Sequence, residues 1–100
     1  MQLENQRFLV TGGCGFIGSR VVRPLATRGA AVTVFDRVIR PEVCAGLPPA
    51  AADRVTLQAG DITNPAEVQA AASGAAGVFH LAVLDLNSCA DDPRLCVQIN

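Results

Sequence analysis

The chain contains no tyrosine, no tryptophan and no lysine; its eight basic residues are all arginines. The absence of Tyr and Lys excludes a phenol or an amine as the proton carrier of any reaction conducted by these residues alone. Arginine is no substitute, since its guanidinium stays protonated at neutral pH. Charge is also sparse, at 17% of residues with a net −1. No basic field exists to hold nucleic acid or an anionic membrane, so neither is expected as a partner. No apolar run approaches the length of a membrane span, and the start, Met-Gln-Leu-Glu-Asn-Gln-Arg, lacks the charged and apolar regions of a secretory signal. Cys14, Cys44, Cys89 and Cys96 show no Cys-x-x-Cys spacing, so no metal site is expected. Reduced thiols and a cytoplasmic location are the default reading.

Half of the 100 residues are hydrophobic, enough for one small domain with a core. Strand-like runs alternate with helical patterns. Residues 7–11 form a first strand, and a helix is expected over 16–28, with Ile17, Val21 and Leu25 as its buried stripe and Gly29 as its stop. Pro24 falls in that helix on the side of Arg20 and Arg28, away from the stripe. Residues 31–36 read as a second strand, apolar on both faces as in a covered parallel sheet. Two proline sites and a glycine leave room only for short helix between 37 and 53. A third strand covers 54–59. Asn64-Pro65-Ala66-Glu67 then supplies an N-cap, a proline at N1 and a glutamate placed to close a capping box. The fourth strand is expected over 76–81, and Asp92-Pro93 opens a last helix. This alternation predicts an α/β, three-layer, Rossmann-type doubly wound parallel sheet with strand order 3-2-1-4.

The richest stretch is Thr-Gly-Gly-Cys-Gly-Phe-Ile-Gly at 11–18, between the first strand and the first helix. It fits Gly-x-Gly-x-x-Gly from Gly13 and, preceded by Thr11, Gly-x-x-Gly-x-x-Gly from Gly12. Either way the backbone can approach a pyrophosphate, with the N–H groups of Phe16 and Ile17 and the helix dipole aimed at it. Asp36 ends the second strand 18 residues after Gly18, where a carboxylate can take both hydroxyls of an adenosine ribose. Its charge repels a 2′-phosphate and favours NAD, whereas neighbouring Arg37 could accept that phosphate and admit NADP. Asp61 and Ile62 suit an adenine edge, or else a turn that starts the next helix. Leu81, Ala82 and Val83 bring small side chains and open backbone to the cofactor, or simply end a strand. The lone His80, within an apolar strand, reads as a packed, hydrogen-bonded residue rather than a catalyst. Cys14 sits where a helix N-terminus can lower a thiol pKa, yet reads more simply as a small residue tolerated in the loop.

Together with Val-Phe-Asp at 34–36, Gly-Asp-Ile at 60–62, Val-Phe-His-Leu-Ala at 78–82 and Asp92-Pro93, the glycine stretch resembles the extended short-chain dehydrogenase/reductase family, the NAD-dependent epimerase/dehydratase group. The resemblance covers almost the whole chain in the family's order. It implies Gly12, Gly15, Phe16, Ile17 and Gly18 at the pyrophosphate, Asp36 at the ribose, and Asp61 and Ile62 at the adenine. Leu81, Ala82 and Val83 would line the inner ribose, with Asn100 close to the active-site end. Cys14, Pro24 and Val83 depart from the common pattern.

Family members are much longer, and their Ser/Thr, Tyr-x-x-x-Lys pair and substrate domain come later. Residues 1–100 are therefore expected to be the N-terminal portion of an NAD(P)-binding Rossmann domain, without catalytic residues and inactive alone. The parent would be an NAD-dependent epimerase or dehydratase acting on a nucleotide-activated sugar by transient hydride transfer, and a homodimer. A hydroxysteroid or sugar-acid dehydrogenase, and a non-catalytic nucleotide-binding module, are the alternatives.

Overall fold

A computed structural model describes residues 3–82 and 90–99. Four parallel strands, β1 (Arg7–Thr11), β2 (Ala31–Asp36), β3 (Val55–Ala59) and β4 (Gly77–His80), form one sheet in the order β3-β2-β1-β4. The helices are α1 (Phe16–Thr27), a short α2 (Pro49–Ala52), α3 (Pro65–Ala72) and α4 (Pro93–Ile99), with a 3-10 turn at Pro41–Cys44. This is the doubly wound order expected from the alternation of patterns, and every crossover links parallel strands.

Strand periodicity divides the sheet's side chains between two faces. Phe8, Val10, Val32 and Val34 point to one face and pack with Val22, Leu25 and Ala26 of α1, closed by Val43 and Ala51. Leu9 and Phe35 are buried on the other face. Among the described residues that second face is thinly covered: α3 buries none of its residues, and Val78 on β4 is 52% exposed. Phe79 on β4, the end strand among the described residues, packs on Phe8 with ring centroids 6.0 Å apart.

The buried stripe of α1 differs from the expected one. Gly18, Val22, Leu25 and Ala26 are buried, Val21 is half-buried, and Ile17 is 64% exposed. The cause lies at the start of the helix, where Gly18 is pressed onto the backbone of Gly12 and Gly13. That contact sets the rotation of α1, and the positions i+4, i+7 and i+8 from Gly18 follow it into the core. Pro24 faces solvent, and the helix runs through it to Thr27. α1 ends in a Schellman arrangement, with Gly29 N–H to Ala26 O and Ala30 N–H to Leu25 O, both 3.1 Å.

The start of α3 carries a second correction. The Asn64 side chain accepts from Ala66 N–H at 3.0 Å and from Glu67 N–H at 3.4 Å, as an N-cap should. Glu67 does not close the box on Asn64. Its carboxylate accepts instead from Asp61 N–H at 2.8 Å, because Asn64 N–H is already given to Asp61 O. One glutamate thus ties the helix to the turn after β3. Asn64→Ala should lower stability by about 1 kcal/mol, seen as a melting point roughly 4–8 °C lower for a domain of this size. Asn64→Asp should retain most of it, and equal melting of all three proteins by circular dichroism would contradict the cap.

Candidate functional site: a dinucleotide cradle at the strand ends

The C-terminal ends of the strands are laced together by backbone bonds that continue the ladder. Gly12 N–H donates to Phe35 O at 2.8 Å, Gly60 N–H to Asp36 O at 3.0 Å, and Leu81 N–H to Thr11 O at 3.0 Å. The loops after all four strands therefore open onto one edge. The strand order reverses there between β1 and β4, the switch point at which doubly wound sheets take ligands.

A cavity of about 610 Å³ lies on this edge. Gly12, Gly15, Phe16, Ile17 and Gly18 form one wall, Asp36 and Arg37 another, and Asp61 and Ile62 a third. Leu81 and Ala82 close the remaining side. Eleven of the thirteen residues singled out from the sequence thus meet around one space, while Val83 and Asn100 lie outside the described residues.

Gly12 makes the cradle possible. Its φ is +68°, and a Cβ there would stand 2.8 Å from Ala82 N and 2.9 Å from the Leu81 carbonyl. At Gly18 a Cβ would collide with the Gly12 carbonyl. Both positions need bare backbone, one for a left-handed turn and one for close approach of helix to loop. The N-cap, Gly15, offers no side-chain hydrogen bond to the helix. The first-turn amides of α1, which have no partner within a helix, border the cavity with the positive end of the helix dipole. A pyrophosphate fits this donor set.

Asp36 is held in place by the loop it faces, since its Oδ2 accepts from Cys14 N–H at 3.1 Å. Cys14 in turn receives Arg40 N–H on its sulfur at 3.2 Å, so the segment after β2 is clasped to the glycine loop. Burial, chiefly, and then the Asp36 charge push the Cys14 thiol up despite the Arg40 N–H. The helix N-terminus therefore does not activate this cysteine, which stays a thiol at neutral pH. Asp61 belongs to its own turn: Oδ1 accepts from Thr63 Oγ1 at 2.6 Å and from Thr63 N–H at 2.9 Å. These bonds hold its carboxyl below the ordinary carboxylate range.

Three lining residues were not anticipated: Phe35, Gly60 and His80. Gly60 is glycine because a Cβ would enter the Phe35 ring, a pairing with no local sequence signal. His80 Nδ1 lies 2.7 Å from Thr11 Oγ1, so the hydrogen bond expected of it is present, but the residue is exposed at the cavity wall rather than packed in the core. Among the described residues, no group of three or more His, Cys, Asp or Glu is arranged to hold a metal. No helix among them is long and apolar enough to cross a membrane.

The profile of the 3-beta hydroxysteroid dehydrogenase/isomerase family matches residues 9–100. The chain belongs to this family. It is a branch of the extended short-chain dehydrogenases/reductases, the resemblance drawn from the glycine, Val-Phe-Asp and Gly-Asp-Ile motifs. A 3-beta-hydroxysteroid dehydrogenase from Mycolicibacterium neoaurum is 44% identical over 81 residues, which are 80% of this chain and 20% of that protein. A dTDP-4-dehydro-6-deoxy-D-allose reductase from Streptomyces bikiniensis is 42% identical over 84 residues, 80% of this chain and 25% of that one. The chain thus spans a fifth to a quarter of these relatives. Among solved structures, a UDP-glucose 4-epimerase from Brucella ovis in complex with NAD superposes with a TM-score of 0.66 at 27% identity. It covers 93% of this chain, which spans 28% of the epimerase. Pen from Bacillus thuringiensis reaches 0.78 at 25% identity, over 99% of this chain and 31% of its own.

Proposed function

We propose that this chain is the nicotinamide-dinucleotide-binding portion of a longer oxidoreductase, with NAD favoured over NADP. The observation that carries the reading is the cradle: bare backbone at Gly12 and Gly18, and the first turn of α1 open to a cavity with Asp36 on its opposite wall. Gly12, Gly15, Phe16, Ile17 and Gly18 would hold the pyrophosphate and Asp36 the adenosine ribose. Asp61 and Ile62 would meet the adenine, and Leu81, Ala82 and Val83 the inner ribose, with Asn100 toward the reacting end. When bound, the nicotinamide supplies a hydride donor or acceptor. The residues described here orient it and do not exchange protons with a substrate.

The substrate reading shifts from the sequence's first choice. The family match and a relative at 44% identity support a 3-beta-hydroxysteroid alcohol as substrate of the whole protein. The nucleotide-sugar reading is supported by the allose reductase at 42% identity. A soluble cytoplasmic homodimer remains part of the proposal.

The test titrates the whole, longer protein with NADH and NADPH by fluorescence, then follows NAD reduction with a 3-beta-hydroxysteroid and product formation by chromatography with dTDP- and UDP-sugars. Tight NADH binding with turnover of the steroid is the expected result. Failure to bind either nucleotide would end the proposal, and turnover of a sugar nucleotide alone would return the substrate to that class.

A further inference from the structure

We infer that His80 is a positioning residue for the dinucleotide site, acting through the hydroxyl of Thr11. Thr11 is 2% exposed and ends β1 directly beside His80 on β4. Its Oγ1 lies 2.7 Å from His80 Nδ1, 3.0 Å from Leu81 N and 3.3 Å from Ala82 N. A hydroxyl has one proton and two lone pairs. Ala82 N–H donates to one lone pair, and Leu81 N–H, shared with the Thr11 carbonyl at 3.0 Å, is directed at the other, which leaves the hydroxyl proton for His80 Nδ1. The imidazole accepts at Nδ1 and carries its proton on Nε2.

That assignment gives His80 work distinct from filling space. By taking the Thr11 proton it fixes the hydroxyl rotor, and the lone pairs then grip the Leu81–Ala82 backbone. The same two residues stand against Gly12, where a Cβ would come within 2.8 Å of Ala82 N and 2.9 Å of the Leu81 carbonyl. They also form one wall of the cavity. With no acceptor at Nδ1, the hydroxyl proton turns among the lone-pair directions and competes with two N–H groups. The wall at the end of β4 then loses its register with the glycine loop.

The effect on binding rests on the dinucleotide reading above; the proton position does not. Nitrogen-15 spectra of the intact protein should therefore give Nδ1 of His80 as unprotonated and Nε2 as protonated. In Thr11→Val that preference should relax, and in Thr11→Ser it should persist. For NAD binding, His80→Leu and Thr11→Val should each weaken affinity roughly tenfold, the scale of one net hydrogen bond. The double variant should be no weaker than either single one. His80→Asn places an amide oxygen near the Nδ1 position and should bind several-fold more tightly than His80→Leu. A proton on Nδ1 in the wild type overturns the inference, as does strictly additive loss in the double variant. If His80→Leu fails to fold, the Thr11→Ser and Thr11→Val spectra decide. If the wild type binds no nucleotide, the functional reading fails and the spectra still judge His80.

Discussion

Gly12→Ala should leave a protein that no longer binds dinucleotide and melts far below the wild type. The new methyl would sit in a left-handed conformation, at φ +68°, which costs an L-residue roughly 1–2 kcal/mol. It would also press on the Leu81 and Ala82 backbone, at 2.8–2.9 Å, and such overpacking costs about 1–3 kcal/mol more. A combined loss of about 2–5 kcal/mol is a large share of a small domain's stability. It corresponds to a fall of roughly 10–30 °C in melting temperature. Gly15→Ala is the informative comparison. Its Cβ would meet only the Gly12 carbonyl at 3.3 Å, and its φ of −78° suits any residue. Its melting point should fall much less. If the two variants melt alike in a calorimeter, the contact between β1 and the end of β4 is not what makes residue 12 glycine.

Asp36→Ala should reduce NAD affinity by about 10–100-fold, the scale of losing hydrogen bonds to a charged group. NADP, which the carboxylate repels, should lose little or gain, so the preference narrows or reverses toward the cofactor that Arg37 can hold. Asp36 has a second task, because its Oδ2 also accepts from Cys14 N–H. Asp36→Asn distinguishes the two. It keeps an acceptor for Cys14 while removing the charge, so it should preserve stability and still narrow the NAD preference. Calorimetric titration of wild type and both variants with each cofactor checks this. A wild type that binds NADP more tightly would assign the ribose pocket to Arg37 instead.

Strand order and helix positions were legible because they depend on short-range signals: alternation within strands, Gly29 after α1, and Asn64-Pro65 before α3. The phase of α1 was not. A stripe on Ile17, Val21 and Leu25 is as good an apolar repeat as one on Val22, Leu25 and Ala26. What selects the second is the contact of Gly18 with the Gly12 and Gly13 backbone, which no periodicity encodes. The capping box failed for a related reason. Glu67 sits at the right spacing, but Asn64 N–H had already found the Asp61 carbonyl, so the glutamate reached one turn further.

At the site, the residues with a backbone reason to be where they are, Gly12, Gly18 and Asp36, were readable from spacing. Phe35, Gly60 and His80 were not, because their positions follow from neighbours on other strands. Gly60 answers to the Phe35 ring across the β2–β3 pair, and His80 to Thr11 across β1–β4. Neither pairing has a local signature. The thiol of Cys14 shows the same limit in electrostatics: its place at the helix start argued for activation, while its burial beside Asp36 acts the other way.

The bond from Thr11 to Ala82 joins residues 71 positions apart, and this separation has a consequence for how the molecule acquires its site. The units β1-α1-β2 and β2-α2-β3 join neighbouring strands, and most of their shared core, including Val10, Val22, Val32 and Val34, lies within the first half of the chain. β4 must return past both to pair with β1, a closure whose entropy cost comes before its contacts form. The glycine loop is therefore synthesised early and finished late. On a ribosome, the wall at Leu81 and Ala82 emerges only after β1, β2 and β3. Hydrogen exchange should find the Leu81 and Ala82 amides opening together, ahead of the β1–β2 ladder that includes the Gly12 amide.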